Sequence, residues 1–363
     1  DIHSSFPTKY LYSLVNSGNF SKAFNYSKKL ERDGKGSYET DIILGVFYFK
    51  NQKFNLSNKY FEKAKNRGSR STFDYFISQS LLFWSNLNIN DIDKSSISFE
   101  KLDKRFINLK KIQKVFLSCY LGNKNTSLLF EELVTDNKID FSRYYFFYAK
   151  YLESIGEKNK AKKIIISSLN KFPRNLLLNQ YKFDFETNEN NFEFNCINKN
   201  DVVAEILYIG ANALSSQSIY DLSNFYLNLS KYLNKDFHAF DTLLAENFYK
   251  INDFSRSKRI YQGLINRGKA LKWYSNKQIS RILIKEEKKE EAINLLDSSF
   301  NDLKIKGIYE IFDYAEFLKN NERFKKSIKY YTDALSLIDK KHPLYPEVTD
   351  GRGIAYERSG DWD

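Results

Sequence analysis

The sequence lacks several features that would point to other protein classes. Its 363 residues include no methionine, only four prolines and no run of about eighteen apolar residues, so it contains no candidate transmembrane helix. Pro173, Pro343 and Pro346 fall between segments with helical periodicity, where proline interrupts no helix. These absences, with a composition dominated by helix-forming residues, predict an all-helical protein.

The sequence also lacks the short patterns that accompany catalysis and metal binding. His3, His238 and His342 stand far apart, and no G-x-S-x-G, glycine-rich phosphate loop or C-x2-C is present. The carboxylate pairs Glu131–Glu132 and Glu290–Glu291 are adjacent, so on a helix their side chains point in different directions. We therefore predict no catalytic residue, no metal, no cofactor and no enzymatic activity.

The two cysteines, Cys119 and Cys196, are far apart in the sequence and fall in different predicted repeats. This separation argues against a disulfide bond between them. We predict instead that Cys119 is a buried structural thiol, and two thiols alone do not identify a redox compartment.

The net charge of +12 raises the question of nucleic-acid binding. However, lysines alternate with glutamates, as in KEEKKEEA from Lys285 to Ala292, which is typical of a solvated helix face. The abundance of Lys, Asn, Ile, Phe and Tyr also fits a genome rich in A and T. We therefore predict a protein or peptide partner rather than nucleic acid, with an RNA- or polyanion-binding regulator as the alternative.

Small residues recur along the chain at a nearly constant interval. Successive steps of 34, 35 and 35 residues separate Ser223, Ser257, Ala292 and Ser327. The same step of 34 residues separates two earlier pairs, Ala23 with Ser57 and Ser127 with Ala161. A fixed period of this size predicts a solenoid in which each unit buries its apolar face only against its neighbours.

The unit from Asp41 to Gly68 shows how the pattern predicts a helix pair. Gly45 and Tyr48 lie on one side of a first helix, and Ser57 and Phe61 lie on one stripe of a second helix. Two antiparallel helices approach closely only where the side chains at their crossing are small, which Gly45 and Ser57 provide. An aromatic residue precedes the second helix in several units: Phe20, Phe54, Tyr220, Phe254 and Phe324.

The pattern L-G-x2-Y, an aromatic turn, A-x3-F-x2-A and then proline resembles the tetratricopeptide repeat (TPR). This resemblance implies an all-α, right-handed superhelical solenoid of antiparallel helix pairs, with about ten repeats. The usual early tryptophan is missing, and Ser often replaces Ala. The tail GRGIAYERSGDW and the preceding DALSLI resemble long TPR proteins of alphaproteobacteria. That resemblance implies a periplasmic or envelope-associated protein, with the cytoplasm as the alternative.

The regularity of the repeats predicts three regions. Residues 1–174 form an N-terminal TPR-like array, residues 175–200 an irregular or degenerate repeat or a hinge, and residues 201–363 a C-terminal TPR array. The middle region retains apolar residues, which favours a degenerate repeat over a hinge. The last residues align with a first helix and its turn, so we expect the natural protein to continue beyond Asp363. Those aligned residues are Gly353, Tyr356, Gly360 and Trp362.

The TPR resemblance also implies that first helices line a concave surface, whose positions outside the core are free to meet a partner. Counting by phase gives the candidates Phe146, Lys150, Thr242, Glu246, Lys277, Arg281, Lys285, Phe312 and Glu316. Lys277, Arg281 and Lys285 form a positive ridge at spacings of four, suited to carboxylates of an acidic peptide, or else a solvated face. Phe312 is the predicted aromatic anchor. The set does not match the Lys and Asn clamp by which some TPR proteins hold a terminal carboxylate.

These observations predict a non-catalytic scaffold that binds a peptide or a helical segment of another protein. The polyanion-binding regulator is one alternative. A second is the recruiting arm of an enzyme whose catalytic part lies outside this sequence. The sequence leaves the oligomeric state open.

Overall fold

The computed structural model describes residues 6–68, 73–88, 99–187, 189 and 192–360, so His3 and Trp362 lie outside the described residues. Nineteen α-helices are bounded within this part of the chain, which confirms the all-α class. They are α1 (Phe6–Asn16), α2 (Phe20–Arg32), α3 (Tyr38–Lys50), α4 (Phe54–Arg67), α5 (Phe73–Asn86), α6 (Ile107–Tyr120), α7 (Thr126–Thr135), α8 (Tyr144–Ser154), α9 (Lys158–Lys171), α10 (Leu176–Thr187), α11 (Lys199–Ser216), α12 (Tyr220–Leu233), α13 (Ala239–Lys250), α14 (Phe254–Leu264), α15 (Lys269–Lys285), α16 (Lys289–Asn301), α17 (Ile308–Asn320), α18 (Phe324–Ser336) and α19 (Tyr345–Ser359).

A left-handed residue ends the first helix of many pairs at the same place. Gln52, Asn252 and Glu322 have φ values of 58°, 60° and 64°, and each stands two residues before an aromatic residue that opens the next helix. The following amide closes the turn: Lys53 N donates to Tyr48 O at 2.9 Å. This six-to-one bond is the Schellman ending of a helix, which reverses the chain within a few residues.

The small residues predicted at the helix crossings make one recurring contact. The hydroxyl of Ser57 donates to the carbonyl of Gly45 twelve residues earlier, at 3.0 Å. Ser223 and Ser257 donate in the same way to residues 211 and 245, at 2.7 and 2.8 Å. At Gly45 the ring of Phe61 occupies the space that a Cβ would need. The helix pairs are therefore TPR-like, as the sequence predicts.

The contacts divide the chain into two compact units. Unit 1 comprises Asp1–Ser168 and Tyr181–Ser257, and unit 2 comprises Leu169–Gln180 and Lys258–Asp363. Each unit thus contains residues from separate stretches of the chain. The predicted division at 175–200 remains a prediction.

Unit 1 folds back on itself, which corrects the expectation that repeats pack only against their neighbours. Helices α11 and α12 contact α1, α3, α5 and α6, which lie far earlier in the chain. At one of these contacts the hydroxyls of Tyr38 and Tyr226 lie 2.8 Å apart, and Tyr226 donates to Asp74 at 3.2 Å. At another, Gly210 lets α11 approach the side chains of Phe73 and Ile77 closely. First helices of the early repeats are therefore covered by later helices of the same unit.

The segment after α10 completes the core of unit 1. Phe194 is buried and packs its ring 4.4 Å from the ring of Phe147, measured between centroids. Cys196 lies between Phe194 and the start of α11, and it forms a disulfide with Cys119. The prediction of two separate thiols is therefore wrong. Phe194 also packs against Phe116 of α6, with ring centroids 5.4 Å apart, which brings the Cα atoms of the two cysteines to 6.0 Å. Sequence separation did not limit the pairing.

Unit 2 contains helices that pack in sequential order. Contacts link α15 to α16, α16 to α17, α17 to α18 and α18 to α19. Phe300 stacks on Tyr314 with centroids 4.1 Å apart, and Tyr331 is fully buried. Gly351 in α19 lies directly against the ring of Tyr331, leaving no room for a larger side chain. These residues form one apolar core through which the later pairs stack.

Candidate functional site

The two aromatic residues among the predicted positions, the anchor Phe312 and Phe146, belong to the core. Phe146 has no exposed surface and packs edge-on against Tyr181 and Phe192, with centroids 5.5 and 6.0 Å away. Phe312 is only 6% exposed and lies near Tyr331. The prediction that these rings meet a partner is therefore wrong, because the phase that places them on first helices also turns them inward.

The other predicted positions in unit 1 make local contacts. Lys150 pairs with Glu153 at 3.4 Å on the same helix, and Glu246 pairs with Lys250 at 3.8 Å. The hydroxyl of Thr242 donates to a backbone carbonyl one turn earlier at 2.9 Å. Each of these bonds lies within one helix, so none of them joins Lys150 to Thr242 or Glu246.

In the predicted basic ridge on α15, two of the three side chains form hydrogen bonds with other residues of the chain. Lys277 donates to Asp313 on α17 at 2.6 Å, and Arg281 donates to Gln278 at 3.1 Å. Lys285, at the end of the helix, is exposed. A member of the ridge is thus already bound to a carboxylate of the next first helix.

Glu316, the last predicted position, is also engaged. It accepts hydrogen bonds from the hydroxyl of Tyr331 and from Lys319, the latter at 2.7 Å. Burial, aided by the charge of Glu316, raises the pKa of Tyr331 far above its usual value, so this hydroxyl stays protonated and donates. Glu316 therefore ties α17 to α18.

The residues that the sequence reasoning missed are Arg174 and Asp313. Arg174 lies between α9 and α10 and donates through Nη1 to Asp313 Oδ1 at 2.7 Å, while Lys277 holds Oδ2 of the same carboxylate. The guanidinium carbon of Arg174 also lies 5.1 Å from the ring centroid of Tyr309 and 5.7 Å from that of Phe312. The proximity of Asp313 to the predicted position Phe312 was the only signal in the sequence.

We call Arg174, Lys277 and Asp313 the cation pair site. Its side chains are partly exposed: 47% for Arg174, 29% for Lys277 and 15% for Asp313. Burial raises the pKa of Tyr309, and the nearby Arg174 guanidinium opposes that rise. The arrangement is two cations on one carboxylate beside an aromatic wall, a geometry suited to binding an anion.

One buried ion pair of unit 1 has a structural role. Arg143 and Glu205 are joined by two hydrogen bonds of 2.8 Å, and the guanidinium stacks 3.8 Å from the centroid of Tyr208. Burial raises the pKa of Glu205, and the charge of Arg143 opposes that rise. The pair joins the start of α8 to α11 and therefore helps to close unit 1.

Other kinds of site have little support in this part of the chain. A cavity beside α9 and α10, lined by Ile165, Tyr181 and Phe185, holds about 10 Å³, room for one water molecule. Among the described residues, no group of three or more His, Cys, Asp or Glu side chains is placed to hold a metal ion. Within the same residues, no helix is long and apolar enough to span a membrane.

Comparison with known proteins adds little beyond this geometry. No family model and no curated protein matches the chain. Among solved structures, it is similar to a tetratricopeptide repeat protein from Parabacteroides merdae, at 10% identity over 88% of this chain and 98% of that chain. It is also similar to yeast Tom70, at 14% identity over 99% of this chain and 89% of that chain. Both TM-scores are 0.34, so the contacts within the chain, and not these two structures, support the inferences about its function.

Proposed function

We propose that the chain is a non-catalytic scaffold that binds a segment of another protein on the first-helix face of unit 2. We define this face by the cation pair site and the adjoining surfaces of α15 and α17. The observation that supports the proposal is the ion pair between Lys277 and Asp313. It joins successive first helices through polar, partly exposed side chains, whereas first helices of unit 1 are packed by α11 and α12.

Such a face suits protein binding because polar groups set orientation while nearby aromatic surface contributes burial. Tyr309 is half-buried beside Arg174, so an incoming segment meets a ring and a cation together. Phe312, which is only 6% exposed, instead stiffens α17, one of the two helices that carry the face. A rigid, preformed surface reduces the entropic cost of binding.

The test is a comparative capture experiment with three purified proteins: wild type, Lys277→Glu and Lys304→Glu. Lys304 is exposed in the loop before α17 and gives the matched charge change outside the face. We expect the same partner to bind wild type and the Lys304 variant and to be lost from the Lys277 variant, with equal helicity in all three. A partner that binds all three equally would remove the first-helix face from the proposal.

A polyanion-binding function is a second candidate, supported by the net charge of +12. Affinity for a polyanion falls steeply as salt rises, because binding releases condensed counterions. Titrating a labelled RNA oligonucleotide at several salt concentrations distinguishes the two functions. An affinity for RNA that falls steeply with salt and does not depend on the RNA sequence favours the polyanion-binding function. No binding at physiological salt favours the scaffold.

We further propose an oxidising compartment, in keeping with the predicted periplasmic or envelope location in a bacterium. The Cys119–Cys196 disulfide supports this, because structural disulfides persist outside the reducing cytosol. Alkylation of the native protein before and after reduction, read by mass spectrometry, tests it. Cysteines that are modified without prior reduction would instead place the protein in a reducing compartment.

A further inference from the structure

The cation pair site holds a carboxylate in the free protein. Arg174 comes from a loop and Lys277 from a helix, yet both side chains converge on Asp313 and bind different oxygens of it, at 2.7 and 2.6 Å. Charged hydrogen bonds of this length are the strong ones in proteins. The pair is therefore already arranged to fit a carboxylate group.

The charge at this site is unbalanced. Two cations share one anion, which leaves one net positive charge on side chains that are partly open to water. Arginine has five N–H donors, and Arg174 uses only one of them in a hydrogen bond to the described residues. The rings of Tyr309 and Phe312 flank the guanidinium and restrict its position. A second carboxylate can therefore bind the remaining donors without a large rearrangement.

We propose that this site binds a carboxylate side chain of an acidic protein segment, and that Asp313 is an internal competitor that weakens the binding. This inference rests on the proposed function in that the ligand belongs to a protein partner. It adds the chemistry of the ligand and a residue that sets the affinity. While Asp313 holds both cations, an incoming carboxylate must share them.

The neighbouring charges favour an acidic side chain over a nucleic acid. Helix α17 also carries Glu310 and Glu316, three residues before and three residues after Asp313. A phosphate backbone needs cations along its whole track and would be repelled by this row of carboxylates. A single carboxylate needs only the local pair, so the row limits the ligand to an anion that is short or sparsely charged.

The experiment uses a fluorescein-labelled peptide that carries one glutamate among serines, and the same peptide with glutamine in place of glutamate. We expect wild type to bind the glutamate peptide and to bind the glutamine peptide about 10-fold more weakly, the usual effect of one charged hydrogen bond. Asp313→Asn should tighten binding of the glutamate peptide about 10-fold, since it frees both cations and preserves the shape of the side chain.

Removing either cation should have the opposite effect. Arg174→Ala and Lys277→Gln should each weaken the glutamate peptide about 10-fold. Lys304→Ala, which removes an exposed cation elsewhere in unit 2, should leave the affinity unchanged. Circular dichroism of every variant confirms that a loss of binding is not a loss of folding.

Three outcomes would overturn the inference. They are equal affinity for the two peptides, no tightening by Asp313→Asn, and equal displacement of the bound glutamate peptide by inorganic phosphate and by an RNA oligonucleotide. These results leave the proposed function separately testable. A partner that is captured by wild type and lost with Lys277→Glu would keep the first-helix face as a binding surface while the acidic ligand is rejected.

Discussion

Units 1 and 2 are built from the same kind of helix pair but use their first helices differently. In unit 1, α1, α3 and α5 are packed by α11 and α12, and polar contacts such as Tyr38 with Tyr226 are buried there. In unit 2, the first helices α15 and α17 are joined by a partly exposed ion pair. The comparison shows that the repeat pattern specifies the pair itself, while the residues on the outer faces determine what covers it.

The largest expected difference between the units is the loss of stability when an ion-paired arginine is replaced by alanine. Arg143→Ala in unit 1 should lower the free energy of unfolding by about 3–5 kcal/mol, because it leaves the carboxylate of Glu205 buried without a partner. Arg174→Ala in unit 2 should cost only about 0–1 kcal/mol, because its ion pair is partly solvated. Urea unfolding followed by circular dichroism measures both. Equal costs would contradict the description of unit 1 as closed and unit 2 as open.

The disulfide provides a second test of the closed unit. Reduction of wild type should lower stability by about 2–4 kcal/mol, since the bond restricts the unfolded chain over a long loop. The variant Cys119→Ala with Cys196→Ser should melt at the temperature of reduced wild type and should not respond to reductant. Hydrogen exchange should show the loss of protection in unit 1 and little change in unit 2. Uniform loss across both units would instead make the disulfide a global constraint.

A third, smaller effect tests the buried contact between early and late helices of unit 1. Tyr226→Phe removes the hydroxyl that bonds Tyr38 and Asp74, which should cost about 1–2 kcal/mol. Tyr330→Phe in unit 2 is the matched control, because that partly buried hydroxyl has no hydrogen bond to the described residues; it should cost within about 0.5 kcal/mol. Thermal melts compare them. A similar cost for both would show that the fold-back gains nothing from this network.

The sequence predicted the helix pairs well because the features that make a pair are local. Ser57 donates to Gly45 only twelve residues away, and such a spacing recurs visibly along the chain. Contacts between distant residues left no such trace: Tyr226 occupies an ordinary repeat position, yet it meets Tyr38 188 residues earlier.

The candidate site was predicted less well for the same reason. The repeat period placed Lys277 on a first helix. The period alone does not distinguish an outward position such as that of Lys277 from an inward position such as that of Phe146, which is buried in unit 1. Arg174 lies in a loop outside the repeat pattern, so only the fold brings it to Asp313. Side chains that depend on tertiary packing are therefore the ones that periodicity misses.

The smallest effect concerns Asp201 at the start of α11, an acidic group inside the closed unit. Burial raises its pKa to about 6, although the amide of Asn195 donates to it at 2.8 Å and favours its charged form. A folded pKa above the unfolded value of 3.8 means that the folded state binds more protons between these values, so stability falls as pH rises through this range. From this residue alone, we expect wild type to be about 1 kcal/mol more stable at pH 5 than at pH 7.

Other acidic groups also titrate in this range, so the informative quantity is the difference between wild type and a variant. The side chain introduced by Asp201→Asn cannot ionise. This variant should therefore lack the gain of about 1 kcal/mol that Asp201 gives wild type when the pH is lowered from 7 to 5. Asp333→Asn, at an exposed position of unit 2, should preserve the wild-type pH dependence. If both variants matched wild type, the Asp201 carboxylate would be solvated, and this end of unit 1 would be as open to water as the first-helix face of unit 2.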